Sequence, residues 1–265
     1  MSQRLGTNMP IPLETFEQLQ GFFWVLVRVS VLVFMLPLFG ARNIPVLWKI
    51  GLSFVLAVVL TPVVPPPENL PRSLPGVVLG IAAEALMGII AVFGMRILFA
   101  AVQLAGQMMS FQMGFSMARA IDPNTGVQST ALSQFLYLFT VLLFFAMDGH
   151  HLMIRTIAAS FHLAPPNGLS FDPSLAEAVM RITAHMFVLG LKVAAPIMIA
   201  LFLSNLCLGI VARTVPQVNI LMIGFPINIG IGLVLFGILL RNLSPFLTDL
   251  TREAGETMMQ LIRLM

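Results

Sequence analysis

The amino-acid sequence predicts an all-α, polytopic membrane-type fold of helical hairpins, with about six long apolar helices followed by an amphipathic helix at the C-terminus. Three observations carry this. Of the 265 residues, 58% are hydrophobic and only 9% charged, where a soluble domain carries about 25% charged residues to wet its surface. Apolar tracts at 21–40, 46–64, 76–104, 131–154, 182–212 and 220–240 each reach the roughly 18 to 25 residues that about 30 Å of hydrocarbon asks of a helix. Turn and proline signals separate the tracts, which divides the chain into hairpins.

Taken in order, the first twenty residues are polar and carry Pro10 and Pro12. They lack the basic start and short apolar core of a cleavable leader, so the N-terminus is expected to be retained. The first two tracts follow, and Pro62, Pro65, Pro66, Pro67, Pro71 and Pro75 then form a stiff extended link, because proline cannot continue a helix. From Gly76 to Arg119 there is no proline. One helix over that stretch would run about 66 Å, twice the hydrocarbon thickness, so it must bend, break or leave the membrane plane. Its glycines at 80, 88, 94, 106 and 114 serve either such a break or close helix contact. The turn signal Asp122-Pro-Asn-Thr-Gly126 precedes the fourth tract and Pro165-Pro-Asn-Gly168 follows it. Two further tracts close the apolar part. Beyond them Leu243, Phe246, Leu247, Leu250, Ala254, Met258, Leu261, Ile262 and Met265 recur at helical spacing among Asp249, Arg252, Glu253, Glu256 and Arg263. That is an amphipathic helix, and its mixed charges favour docking on a partner over anchoring to anionic lipid.

Charge and cysteine usage exclude other classes. The net charge of +3 comes from scattered residues without a basic block, so nucleic acid is not an expected partner. Lys and Arg near the tract ends divide four against seven, a weak bias that would place the termini in the cytoplasm. A bias that thin points to a final position set by partner subunits. The lone Cys207 is read as a small packing residue, and one cysteine with four histidines forms no recognisable metal motif. His150 and His151 are adjacent, which on a helix turns them about 100° apart and makes a poor metal pair. There is no HExxH, no GxSxG and no phosphate-cradling glycine loop. No enzyme activity, cofactor or metal is expected.

Charges inside the tracts are Arg28, Glu84, Arg96, Asp148 and Lys192, and ionisable groups in lipid are functional candidates by default. They admit a proton-coupled secondary transporter using Glu84, Asp148 and Lys192. They also admit interhelical or intersubunit pairing, which is favoured. Glu84 and Arg96 lie about 18 Å apart along a helix and cannot pair with each other on it. Arg28 and Lys192 have stems long enough to reach an interface.

The most informative stretch is 103–119. Met109, Met113 and Met117 share one helical face, Phe111 and Phe115 another, with Gln103, Gln107, Ser110, Gln112 and Ser116 between them. A methionine face deforms to close around changing surfaces, as an apolar constriction in a pore requires. It also fits an ordinary packed core.

Three runs carry a family likeness: Gln112-Met-Gly-Phe-Ser-Met-Ala-Arg-Ala-Ile-Asp-Pro123, Asp148-Gly-His-His151, and the stretch from Gly209 to Pro226 that holds Arg213, Pro216, Gln217, Asn219, Gly224, Phe225 and Pro226. Over essentially its whole length the sequence resembles the FliR family of the flagellar type III export gate, called SctT in injectisomes. It departs from the family at Asn228, where many relatives have lysine. The resemblance implies a subunit that assembles with FliP-like and FliQ-like proteins, contacted by an FlhB-like protein, into a helical pore-containing gate in the inner membrane at the flagellar basal body. Unfolded export substrates would pass through it. The resemblance further implies a FliP-like part at 1–175, a FliQ-like hairpin at 176–265, periplasmic termini and a cytoplasmic turn at 213–219. The family's plug maps here onto Met109, Met113, Phe115, Met117 and Ile121, and Glu84, Arg96 and Lys192 become candidates for intersubunit pairing.

Overall fold

The computed structural model describes residues 13–36, 44–65, 73–115, 130–165, 172–214 and 220–265. Within them all regular structure is helical: α1 (Leu13–Met35), α2 (Val46–Leu60) with a 3₁₀ turn at Thr61–Val63, α3 (Leu74–Gln112), α4 (Ala131–Ala146), α5 (Gly149–Leu163), α6 (Ser174–Thr214) and α7 (Ile220–Arg263). The all-α membrane-type class predicted from composition is the one observed.

Span count and helix length differ from the expectation. Among the described residues, four helices are long and apolar enough to cross a membrane, α2 with its 3₁₀ turn, α3, α6 and α7, and a fifth span results if α4 and α5 count as one. The predicted tract at 131–154 is broken: α4 and α5 meet at 71°. Asp148 stands at the corner with φ 57, a left-handed conformation that a short polar side chain tolerates better than most. By contrast, the overlong third tract is continuous over the 39 residues of α3. Gly88 and Gly106 within it therefore serve contact and not a break. A Cβ on Gly88 would lie 3.0 Å from Val31 Cγ1 of α1, and one on Gly106 would lie 2.6 Å from the Ser133 Cα of α4. Side chains this small let backbones approach where van der Waals packing, more than hydrophobic expulsion, holds helices together. The amphipathic C-terminal segment is likewise no separate helix but the end of the 44-residue α7.

The chain divides into two compact units. The first comprises residues 1–93, 154–175 and 258–265. Here Trp24, Val25, Val29, Leu32, Val33 and Leu36 form the buried stripe of α1, and α1 packs on α2 with Phe22 edge-on to Phe54 at 5.5 Å. Asp172 caps α6 by accepting the Ser174 backbone N–H at 2.8 Å. This bond holds the Asp172 carboxyl below the usual aspartate range. The Asp172 N–H in turn donates to the Leu264 carbonyl at 3.1 Å, which ties down the chain's last turn.

The second unit comprises residues 94–153 and 176–257. Its core is the α3 stripe of Met95, Leu98, Phe99, Val102, Ala105, Met109 and Met113, together with Leu136 and Phe144 of α4 and Leu189, Val193, Ala194, Ile197 and Leu201 of α6. Phe99 meets Phe144 edge-on at 5.6 Å. Gly190 brings α6 against α3, since a Cβ there would lie 3.1 Å from the Ala101 carbonyl oxygen. Cys207 corrects the expectation of a packing residue: it is exposed, on a stretch of α6 that also exposes Phe202, Leu203, Leu206 and Ile210. The apolar face predicted for the C-terminal segment is buried within the chain, at Leu243, Leu247, Leu250, Ala254, Met258, Leu261 and Ile262. Docking on a partner is not needed to cover it.

Candidate functional site

Two places carry the residues singled out in the sequence. The first is a buried polar cluster in the first unit. Arg28 lies on the inner stripe of α1, 1% exposed, so its stem does not reach for an interface. Its Nε donates to Glu84 Oε2 at 2.6 Å and its Nη2 to Glu84 Oε1 at 3.1 Å. This is the two-pronged arrangement that a planar guanidinium and a carboxylate favour. The remaining nitrogen, Nη1, donates to the Ala164 carbonyl at 2.9 Å and reaches the Ser160 carbonyl at 3.3 Å. Both lie at the C-terminal end of α5, where a helix presents partial negative charge; the Ser160 carbonyl also accepts the Ala164 N–H at 2.9 Å. Phe161 places its ring 4.3 Å from the guanidinium carbon, a distance for cation–π attraction.

This geometry changes the reading of Glu84. It is fully buried and bonded within its own chain, so of the interhelical and intersubunit pairings admitted for these charges, Glu84 takes the interhelical one, with Arg28. Arg96 and Lys192, the other two candidates, are exposed.

The second place is the end of α3, in the second unit. The Met113 N–H donates to the Met109 carbonyl, the Gly114 N–H to Phe111 at 3.1 Å and the Phe115 N–H to Ser110 at 3.0 Å. With Gly114 at φ 90, this is a Schellman stop, in which a left-handed glycine lets two amides fold back onto otherwise unpaired carbonyls. The glycine is required twice over, because a Cβ there would also sit 2.7 Å from the Phe225 ring. Thr130 caps α4 by accepting the Ser133 N–H at 3.3 Å and donates to Ser110 Oγ at 2.6 Å. Beside them opens a cleft of about 350 Å³ lined by Leu104, Gln107, Met108, Phe111, Thr130 and Met198.

The plug candidates are placed differently from one another. Met109 and Met113 are completely buried, and Met113 lies so close to α7 that a Cβ on Gly232 would be 2.6 Å from it. They are packing residues of this chain, because a methionine can fill the irregular gap that a glycine leaves. Phe115 is 37% exposed and Phe111, on the same face, 70%. Met117 and Ile121 lie outside the described residues. Of the family-motif residues, Arg213 is in the last turn of α6 and Gly224, Phe225 and Pro226 lie on α7. Pro216, Gln217 and Asn219 are outside the described residues.

The residues also converge where no motif pointed. Asn228 of α7 accepts from Ser204 Oγ at 3.1 Å and donates to Asn205 Oδ1 at 2.6 Å, so α6 and α7 are latched by amides. The one signal for this was chemical: Asn228 is polar within an apolar tract.

The fold and these two places define a polytopic helical protein of membrane type, with a buried ion pair sealed for structure and a long third helix whose methionine-rich end is stopped at a glycine. Comparison with known proteins supplies the family. Residues 19–254 match the family model described as bacterial export proteins, family 1. The chain is 34% identical over 249 residues to the flagellar biosynthetic protein FliR of Bacillus subtilis, covering 92% of this chain and 95% of that one. It is 33% identical to FliR of Pectobacterium carotovorum, over 91% and 92% of the two chains, and 31% identical to FliR of Escherichia coli K12, over 88% of each. The chain belongs to the FliR family of bacterial export proteins.

Proposed function

We propose that this chain is a non-enzymatic, conduit-forming subunit of the flagellar protein export apparatus in the inner membrane at the basal body. It assembles there with FliP-like and FliQ-like subunits, is contacted by an FlhB-like protein, and passes unfolded export substrates. The observation that carries this reading is the family match over nearly the whole chain, to relatives named for flagellar biosynthesis. The surface agrees with it: the apolar windows of the four long helices are only 22 to 33% buried within the chain, which leaves broad faces for lipid and for other subunits. The FliP-like part is assigned to 1–175 and the FliQ-like hairpin to 176–265, in keeping with a hairpin that opens where α6 starts at Ser174. Plugging of the resting conduit is assigned to the segment after the Gly114 stop, with Phe115, Met117 and Ile121 as its closing residues.

The transporter alternative needs Glu84 to exchange protons, and a carboxylate held at 2.6 and 3.1 Å by a buried arginine is committed elsewhere. Copurification tests the assembly: the tagged chain should carry FliP and FliQ relatives in one stable particle, and a monodisperse monomer indifferent to them refutes it. Replacement of residues 115–121 by Gly and Ala tests the plug. Cells should then leak small solutes while the particle still assembles; unchanged permeability refutes the assignment.

A further inference from the structure

We propose that the corner between α4 and α5 is a binding site for a divalent transition-metal ion of the zinc class, with Asp148, His150 and His151 as its protein ligands. Each residue offers one ligating atom, and these atoms all lie within 4.8 Å of one another. The corner's backbone brings this about. Asp148 is left-handed at φ 57, and its carbonyl accepts the His151 N–H at 2.9 Å, which starts α5 while the carboxylate stays beside the first turn. Gly149 is the residue this bend demands, because a Cβ there would overlap the Phe144 ring. The two imidazoles consequently lie with centroids 4.2 Å apart and not splayed as adjacent positions in mid-helix would be. The Asp148 Oδ1 is already 3.3 Å from His151 Nδ1.

A second, independent observation points to a ligand. His150 Nδ1 is buried and, among the described residues, is the side-chain nitrogen or oxygen left without a hydrogen-bond partner. Buried polar atoms are nearly always paired, so an orphan of this kind calls for an explanation. An imidazole nitrogen with a free lone pair beside a second imidazole and a carboxylate is a metal-ligand donor set. Its nitrogen-rich character suits zinc, nickel, copper or iron over magnesium or calcium, which prefer all-oxygen shells. Tetrahedral zinc with bonds near 2.0–2.1 Å would bring the ligating atoms to about 3.3 Å from one another. The needed closure is small, and the exposed side chains of Asp148 and His151 are free to make it. Three protein ligands leave a fourth position for water or for a donor from a neighbouring subunit.

The test is a Co²⁺ titration of the full-length chain, purified through a tag without histidine and held in detergent or a nanodisc. One equivalent of Co²⁺ should produce visible ligand-field absorption, and Zn²⁺ should abolish it by competition. His151→Gln, a change on an exposed side chain, and His150→Ala should each weaken binding at least tenfold, whereas His185→Ala should leave it unchanged. Absence of the band in the wild-type chain overturns the proposal without recourse to any variant. A band that survives His151→Gln, or one displaced as readily by Mg²⁺ as by Zn²⁺, overturns it as well.

Discussion

The Arg28–Glu84 cluster yields the sharpest prediction. In Glu84→Ala the guanidinium stays 1% exposed, now facing an empty volume instead of two carboxylate oxygens. The Ala164 and Ser160 carbonyls still receive it, but they carry no countercharge. Breaking one partner out of a buried pair costs about 3–5 kcal/mol, because an uncompensated charge is left behind. Arg28→Met leaves the mirror-image problem, a buried carboxylate, and also strips the α5 end of its donor. The double variant Arg28→Met/Glu84→Leu removes both charges and leaves only the Ala164 carbonyl without the guanidinium donor, a loss of about 1–3 kcal/mol. The two single effects should therefore together exceed the double effect by at least about 3 kcal/mol, the excess of two losses of about 3–5 over one of about 1–3. The assay is reversible unfolding of the purified chain for the wild type and the three variants. Additivity within about 0.5 kcal/mol, the behaviour of independent sites, would refute the pairing. The same set separates a structural role from a transport role. The double variant should restore motility in cells that Glu84→Ala has impaired, whereas a proton carrier at Glu84 would leave both equally dead.

Three further outcomes are expected. Gly106→Ala forces a Cβ to within 2.6 Å of the Ser133 backbone and should destabilise by about 1–3 kcal/mol as an overpacked contact; Gly209→Ala, with nothing within 4 Å, should stabilise by about 0.5–1 kcal/mol, and thermal unfolding of the two compares them directly. Gly114→Ala at φ 90 should fray the end of α3 and cost about 1–3 kcal/mol, visible as faster amide exchange at Met113, Gly114 and Phe115. The Asp172 carboxyl is held below its ordinary value by the Ser174 cap, so its contribution is complete above the unfolded aspartate pKa of about 3.9 and fades as pH falls through the lower folded value. Amide exchange at the start of α6 should accelerate only in that acid window, and Asp172→Ala should show the faster rate at every pH.

Class and element order could be read from the sequence because they rest on bulk properties: too few charges to wet a surface, and apolar runs of bilayer length. Places where a backbone choice depends on tertiary context were less legible. The tract at 131–154 reads as one span by hydropathy, yet Asp148-Gly149 turns it through 71°. Hydropathy averages over a window and cannot register a single left-handed residue. Cys207 was misplaced for a related reason, since a free thiol resembles a core residue whether its neighbours face protein or lipid. The glycines of α3 were open to two uses, and only the approach of Val31 and Ser133 decided between them. Arg28 was undervalued because its acceptors lie far off in sequence, Glu84 56 residues away and the Ala164 carbonyl 136.

The methionine-rich segment shows where such reasoning divides. Periodicity placed Met109 and Met113 on one face and Phe111 and Phe115 on another, and the core-packing and gate readings were both open for the methionines. A side chain that closes a conduit shared with other subunits must be reachable on its own subunit. Met109 and Met113 are wholly buried, while Phe111 and Phe115 are not. The two faces therefore have different work: the methionines seat α3 against the rest of its unit, and the phenylalanines stand where another surface can meet them. The Schellman stop fixes the backbone up to Phe115, and the plug proposed above lies beyond it. On this reasoning Met113→Leu, a volume-conserving swap, should cost less than about 1.5 kcal/mol and leave permeability at the wild-type level. Phe115→Ala should raise solute leak with little change in unfolding temperature. If the methionine swap leaked and the phenylalanine truncation did not, the division of roles would be reversed.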